Sequence, residues 1–305
     1  MKTLLVIDAN ALIHRAFHAL PEFVSREGKP TGALYGVASI LIKFFKENPP
    51  QYVVAAFDRP ETTFREKLFS EYKAHRPEPA PSLVAQIVEA YALFQSFGIK
   101  TIDASGFEGD DVIGTLVEFF KHEPEIKITI LTGDMDSLQL VFQEKVVVET
   151  LRKGVNDITL YDEKAVRERF LVEPYQIPDY KGLIGDASDN ITGVRGIGPK
   201  TAARLLGHHK TLENIIKSIE FNESILEEDS AYRKIKDQKE EALLSKKLAT
   251  IRCDAPIPRL ALRDLIISKN MKDGAIKYLS QFGFKSLIKR LEEESKKKIH
   301  QGQLL

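Results

Sequence analysis

The chain has 305 residues, 43% hydrophobic and 29% charged, the make-up of a folded protein rather than a disordered one. Its 44 basic and 44 acidic residues cancel, so net charge points to no partner, and a single cysteine, Cys253, excludes a disulfide framework and a cysteine-rich zinc site. No apolar run is long enough for a transmembrane helix. The first one, residues 4–7, is too short for a signal peptide and ends in a carboxylate, so a cytoplasmic location is expected.

Residues 3–7 and 52–57 are continuous apolar runs, as strands buried on both faces require, and 99–102, 126–131 and 146–149 read the same way. Between them, 11–20, 33–46, 83–97 and 110–121 carry apolar residues at helical spacing. The alternation predicts an α/β fold, a mostly parallel central sheet with helices on both faces. Residues 59–82 break the rhythm, and so long a connection within a compact α/β unit is functional or disordered. From about Pro174 the chain reads as helix after helix. The expected division is a core over 1–173, a helical region over 174–291, and a flexible tail over 292–305 that includes Lys296, Lys297 and Lys298.

The acids carry the chemistry. Asp8 ends the first strand and Asp58 the second; Glu108, Asp110 and Asp111 follow the third, and Asp134 and Asp136 the fourth. Ligand sites of open α/β sheets lie outside the carboxyl ends of the strands, so these acids should converge on one edge. Asp186 and Asp189, in Gly-Asp-Ala-Ser-Asp-Asn, are placed to join them. Any one of Asp8, Asp110, Asp111, Asp134 or Asp136 reads equally well as a helix cap. Acids after four successive strands are poorly explained that way. So many carboxylates in one cleft raise one another's pKa values unless a cation is bound, and all-oxygen ligands select hard ions, magnesium or manganese. Two such ions are the usual machinery for attack of water on a phosphodiester.

Charge elsewhere is segregated. From Gly193 to Lys210 there are four basic residues and no acid, and Gly193, Gly196 and Gly198 precede a helix. Such a hairpin lets backbone N–H groups approach a phosphate, with Lys200 and Arg204 adding charge. Its bland reading is a tight turn between core helices.

Taken in order, Ile7-Asp8, Phe57-Asp58, Glu71-Tyr-Lys-Ala-His-Arg-Pro77, Glu108-Gly-Asp-Asp-Val112, Thr132-Gly-Asp-Met-Asp136, Gly185-Asp-Ala-Ser-Asp-Asn190 and Gly196-Ile-Gly-Pro-Lys200 closely resemble the motifs of the 5′-nuclease (flap endonuclease) superfamily. The likeness is greatest to the 5′→3′ exonuclease domain of bacterial DNA polymerase I and runs from about residue 3 to about 290. It implies a structure-specific 5′ nuclease acting on DNA flaps, nicks and ends in replication and repair, as a monomer. Asp8, Asp58, Glu108, Asp110 and Asp111 would hold one Mg2+ and Asp134, Asp136, Asp186 and Asp189 a second, with Mn2+ able to substitute. Residues 59–82 would form a helical arch from which Lys73 and Arg76 steer the scissile phosphate and Tyr72 stacks on a base, with Arg15 facing the phosphate. Gly193, Gly196, Gly198, Lys200, Thr201 and Arg204 would belong to a helix–three-turn–helix gripping duplex DNA, where similar proteins bind a potassium ion.

Met135 stands where polymerase-type domains usually have lysine, and Thr192 where they commonly have proline; neither change removes a ligand. A small acidic-edge ribonuclease would lack the hairpin and helical half, and an aspartate phosphatase would show Asp-x-Asp where Asp8-Ala-Asn10 stands. A non-catalytic helix-hairpin-helix DNA-binding module, the alternative from another class, would not need nine acids. The ending Gln301-Gly-Gln-Leu-Leu305 resembles short peptides that dock on the sliding clamp, against the blander reading of a frayed end.

Overall fold

The structure, a computed structural model, describes residues 1–151, 157–221, 224, 229–268 and 270–302, with side chains described as far as 293. One sheet holds β1 (Lys2–Asp8), β2 (Tyr52–Ala56), β3 (Lys100–Ile102), β4 (Ile126–Thr132), β5 (Val146–Leu151) and β6 (Ile158–Tyr161), in the order β3-β2-β1-β4-β5-β6. All neighbours run parallel except β5 and β6. The chain steps outward from β1 to β2 and β3, then returns to lay β4 on the other side of β1. The strand order therefore reverses between β1 and β4, and a crevice opens there at the carboxyl ends of the strands.

The continuous apolar runs are explained by two cores. Leu4 and Val6 enter one and Leu5 and Ile7 the other, and all four are fully buried. On the Leu5 side lie α1 (Ala9–Ala19), α2 (Gly32–Glu47) and α4 (Pro81–Ser96); on the Leu4 side lies α5 (Gly109–Phe120). After β6 come α6 (Glu163–Phe170), α7 (Ile177–Ile184), α8 (Pro199–His209), α9 (Leu212–Phe221), α10 (Ser230–Asp237) and α11 (Lys239–Ala249). Helices α7 to α11 extend the core that holds α5.

Four features differ from expectation. The antiparallel edge strand β6 and helix α6 lie in a stretch with no strong apolar pattern. The last helices, α12 (Met271–Gln281) and α13 (Lys285–Gly302), cross back to the opposite face, where Tyr278 donates to Glu89 of α4 at 2.9 Å and Arg290 to Ser39 of α2 at 2.8 Å. Helix α13 continues through residues 292–302, so that part of the expected flexible tail is helical, while residues 303–305 of the clamp-like ending lie outside the described residues. Within 59–82 the expected arch reduces to one short helix, α3 (Phe64–Leu68), and a run of turns over 70–75.

Candidate metal centre and nucleic-acid interface

Strand β1 ends in Asp8, and both its oxygens are engaged. Oδ1 caps α1 by accepting the Ala11 N–H at 2.9 Å, and Oδ2 accepts the Thr132 hydroxyl at 2.7 Å from the end of β4. Thr132 Oγ1 also accepts the Asp134 N–H at 2.9 Å, so the two strand ends flanking the crevice are tied together. Asp8 is thus a cap and a member of the acid cluster at once. Burial pushes it up to about 7 despite those hydrogen bonds, with Asp58 and Asp134 adding to the rise.

Asp58 follows β2 and accepts the Gly109 N–H at the start of α5. A Cβ on Gly109 would stand 3.1 Å from Asp58 Oδ1, a tight contact that would press on the carboxylate. Asp110, one residue on, has an Oδ1 closed off from solvent that receives no hydrogen bond. Burial raises its pKa well above the carboxylate range, followed by the charges of Asp134, Asp8 and Asp136. Those four carboxylates therefore face one another.

Asp111 is different. It is fully buried, and both oxygens are consumed: Oδ1 accepts Arg65 Nη2 at 2.8 Å and the Arg252 N–H at 2.9 Å, and Oδ2 accepts Arg65 Nη1 at 2.7 Å and the Glu108 N–H at 3.0 Å. With every lone pair engaged, Asp111 offers none to an ion in this arrangement. Its partner Arg65, on α3, also donates to Glu108 Oε2 at 3.0 Å and to the carbonyls of Leu248 and Thr250 at 2.8 and 2.9 Å. The guanidinium fastens α3, α5 and the end of α11 together.

Of the remaining acids, Glu108, Asp136, Asp186 and Asp189 are met by side-chain cations. Lys181 of α7 bridges Asp136 and Asp186. Burial and Asp134 hold Asp136 up at about 7 even so, while Lys181 and Ser188 outweigh burial at Asp186 and keep it below the ordinary range. Lys73 Nζ reaches Glu108 Oε1 at 2.9 Å, and Arg76 pairs with Asp189. Burial pulls the Lys73 ammonium down, but Glu108 and Asp189 overcome it and hold its pKa above the usual lysine value. Among the described residues no three His, Cys, Asp or Glu side chains are grouped closely enough, as they stand, to hold a metal ion. The lysines and arginines draw several of their oxygens aside.

Tyr72 is buried, its hydroxyl donating to Glu108 Oε2 and Asp189 Oδ2 at 3.1 Å each. Its ring packs beneath the turn, against Ile191, Leu248 and Ala249, and is not displayed for stacking on a base in this arrangement. Arg15 lies on α1, half-buried, and Met135 packs against the core beneath β4.

The glycine hairpin lies beyond α7. Gly193 has φ 65, and a Cβ there would fall 2.2 Å from Gly185 N, so glycine is obligatory. The turn is held by Ser245, which accepts the Gly193 N–H at 3.0 Å, and Gln238, which accepts the Arg195 N–H at 2.8 Å. Gly198 precedes α8, Pro199 opens it, and Gly196, Gly198 and Lys200 are exposed while Thr201 is half-buried. Arg204 is exposed too but ion-paired with Asp229.

Arg65, Thr132 and Lys181 were not singled out by sequence reasoning. Arg65 and Lys181 look like ordinary helix-surface charges, and only the topology brings them to the acids. Thr132 had a local signal, its place directly before the Gly-Asp-Met-Asp turn.

An acid-edged crevice at the switch point of a doubly wound sheet, beside an exposed basic hairpin, defines a nuclease build. Residues 3–171 match the model of the 5′-3′ exonuclease N-terminal resolvase-like domain, and residues 172–273 that of the 5′-3′ exonuclease C-terminal SAM fold. The chain belongs to the 5′-3′ exonuclease family, and is a nuclease. It is 40% identical over 291 residues to DNA polymerase I of Caldicellulosiruptor bescii, covering 94% of this chain but 33% of that protein. The chain thus spans about a third of the length of such polymerase relatives. To the 5′-3′ exonuclease of Aquifex aeolicus it is 35% identical over 294 residues, 96% of each chain. Among solved structures, T5 5′-exonuclease with bound divalent zinc superposes with a TM-score of 0.66 at 19% identity, covering 96% of this chain and 98% of that one. Human GEN1 in complex with Holliday junction DNA gives 0.62 at 12% identity, covering 92% and 67%.

Proposed function

We propose that the chain is a structure-specific 5′ nuclease for DNA, cleaving near the junction of a 5′ flap to leave a 5′-phosphate and a 3′-hydroxyl. The observation that carries this is Asp110 Oδ1: a carboxylate oxygen sealed from water, with no donor, facing Asp8, Asp134 and Asp136. A buried anion in that state calls for a cation. Its donors are all oxygen, which favours Mg2+, with Mn2+ as substitute. On this reading Asp8, Asp58, Glu108 and Asp110 hold one ion, and Asp134, Asp136, Asp186 and Asp189 the other. The bound ions supply an activated water and neutralise phosphate charge. The protein's part is to hold the carboxylates and to shut water out of the crevice floor. Lys73 and Arg76, now on Glu108 and Asp189, are free to transfer to a phosphate once ions take over those acids. Arg15 approaches it from α1. Gly196 and Gly198 allow close approach of duplex backbone and Gly193, buried against Gly185, shapes the turn beneath them, with Lys200, Thr201 and Arg204 at the surface.

Potassium at the hairpin gains no support. The carbonyls of Val194, Gly196 and Gly198 accept Ile197 N–H, Lys234 Nζ and Ala202 N–H, so an ammonium already meets the turn. Among the described residues no helix is long and apolar enough to cross a membrane. Cleavage of matched flap, nicked and intact duplexes in Mg2+ and in excess EDTA tests the proposal. Flap-selective cleavage abolished by EDTA is expected; full turnover in EDTA, or no preference for flaps, overturns it.

A further inference from the structure

The turn that carries Lys73 and the loop that carries Asp186 and Asp189 are distant in sequence but touch through their backbones. The Lys73 N–H donates to the Asp189 carbonyl at 3.0 Å, and Asn190 Nδ2 donates to the Glu71 carbonyl at 2.7 Å. Both Lys73 and Asn190 are left-handed, with φ of 55 and 58. Asparagine tolerates that region well and lysine does not, so Lys73 is held there by its contacts rather than by preference.

Most other ties between the two segments run to the Asp189 carboxylate, from the Tyr72 hydroxyl as well as from two cations, while Arg76 Nε donates to the Ser188 carbonyl at 3.4 Å. Lys73 and Arg76 both meet Asp189, Lys73 Nζ at 3.8 Å. Those pairs must dissolve when Asp189 turns to an ion and the two cations turn to a phosphate. The amide of Asn190 and the Glu71 carbonyl are uncharged, and nothing in that exchange competes for them. Theirs is a side-chain contact that the exchange leaves in place.

We infer that Asn190 is a positioning residue: its carboxamide latches the 71–76 turn to the metal-side loop, so that Lys73 and Arg76 stay above the acids during cleavage. This rests on the reading of Lys73 and Arg76 as phosphate-facing. The Asn190→Asp change keeps the shape and the left-handed tolerance but turns the donor into an acceptor opposite a carbonyl. Asn190→Gly keeps the backbone freedom and removes the donor.

The test measures, in the full chain with Mg2+ or Ca2+, amide hydrogen exchange over residues 70–76, flap affinity in Ca2+, single-turnover cleavage in Mg2+, and melting temperature. Both variants should raise exchange over 70–76 and slow single-turnover cleavage by about tenfold, as expected for roughly one lost hydrogen bond, with affinity and melting nearly unchanged. Unchanged exchange overturns the latch. So does raised exchange with an unchanged rate, or a fall in melting temperature that accounts for the lost rate. A wild-type chain that cleaves no flap would overturn the functional reading instead, leaving the exchange comparison to judge the latch.

Discussion

Stripping divalent cations from the acid edge should make the fold weaken as pH rises. Asp8 and Asp136 each stand at about 7 against an ordinary 3.8, burial being the main cause in both. Between about pH 4 and pH 7 the folded chain therefore keeps protons that the unfolded chain has released. Stability falls across that window and the loss is complete above about pH 7. Moving one carboxyl from 3.8 to about 7 corresponds to roughly 4 kcal/mol. Asp58 and Asp110 are raised as well and act in the same direction. Because Asp110 interacts with both Asp8 and Asp136, the contributions do not add in full, and roughly 4 kcal/mol is the least expected for the cluster. In a chain of this length that lowers the melting temperature by about 8 °C. Asp186, held below the ordinary range, titrates beneath this window and does not offset the trend. Melting curves in EDTA at steps from about pH 5 to pH 8, repeated with Mn2+ at the upper end, measure the effect, and the ion should recover most of the loss by linkage. A melting temperature that stays level or climbs with pH in EDTA would refute the reasoning.

Arg65→Met leaves Asp111 buried without a countercharge and should cost about 3–5 kcal/mol in urea denaturation; the double change Arg65→Met with Asp111→Leu should recover much of it. A loss below about 1 kcal/mol would show that the pair is not the fastening described. Asp186→Asn should slow flap cleavage by at least about tenfold while flap binding holds or tightens, since the edge becomes less negative. A wild-type rate in that variant removes Asp186 from the ligand set. Lys200→Ala should weaken duplex binding and lower the slope of log affinity against log salt by about one, whereas Lys73→Ala should slow cleavage with affinity kept. The reverse pattern would exchange the roles of turn and hairpin.

The sheet was legible because strands buried on both faces need unbroken apolar runs, and residues 3–7 or 52–57 have no other good reading. The acid edge was legible for a topological reason: strands running parallel present their carboxyl ends together, so Asp8, Asp58, Asp110 and Asp134 had to meet. Strand β6 was hidden because an edge strand with one uncovered face needs no such run, and Leu160 is 51% exposed. The site's inner counterions were hidden for a different reason. Nothing local separates Arg65 from Lys67, two residues away on α3; only the packing of α5 and α11 against that helix buries one and leaves the other exposed. The same packing divides the adjacent acids Asp110 and Asp111, which read as equivalent ligands in sequence. A helix turns about 100° between successive residues, so two neighbours at an N-terminus cannot face one crevice together. Asp111 points back into the joint with Arg65, and Asp110 is left facing Asp8, Asp134 and Asp136. One carboxylate is spent on holding the helix still, and that rigidity is what keeps the other aimed at the ion.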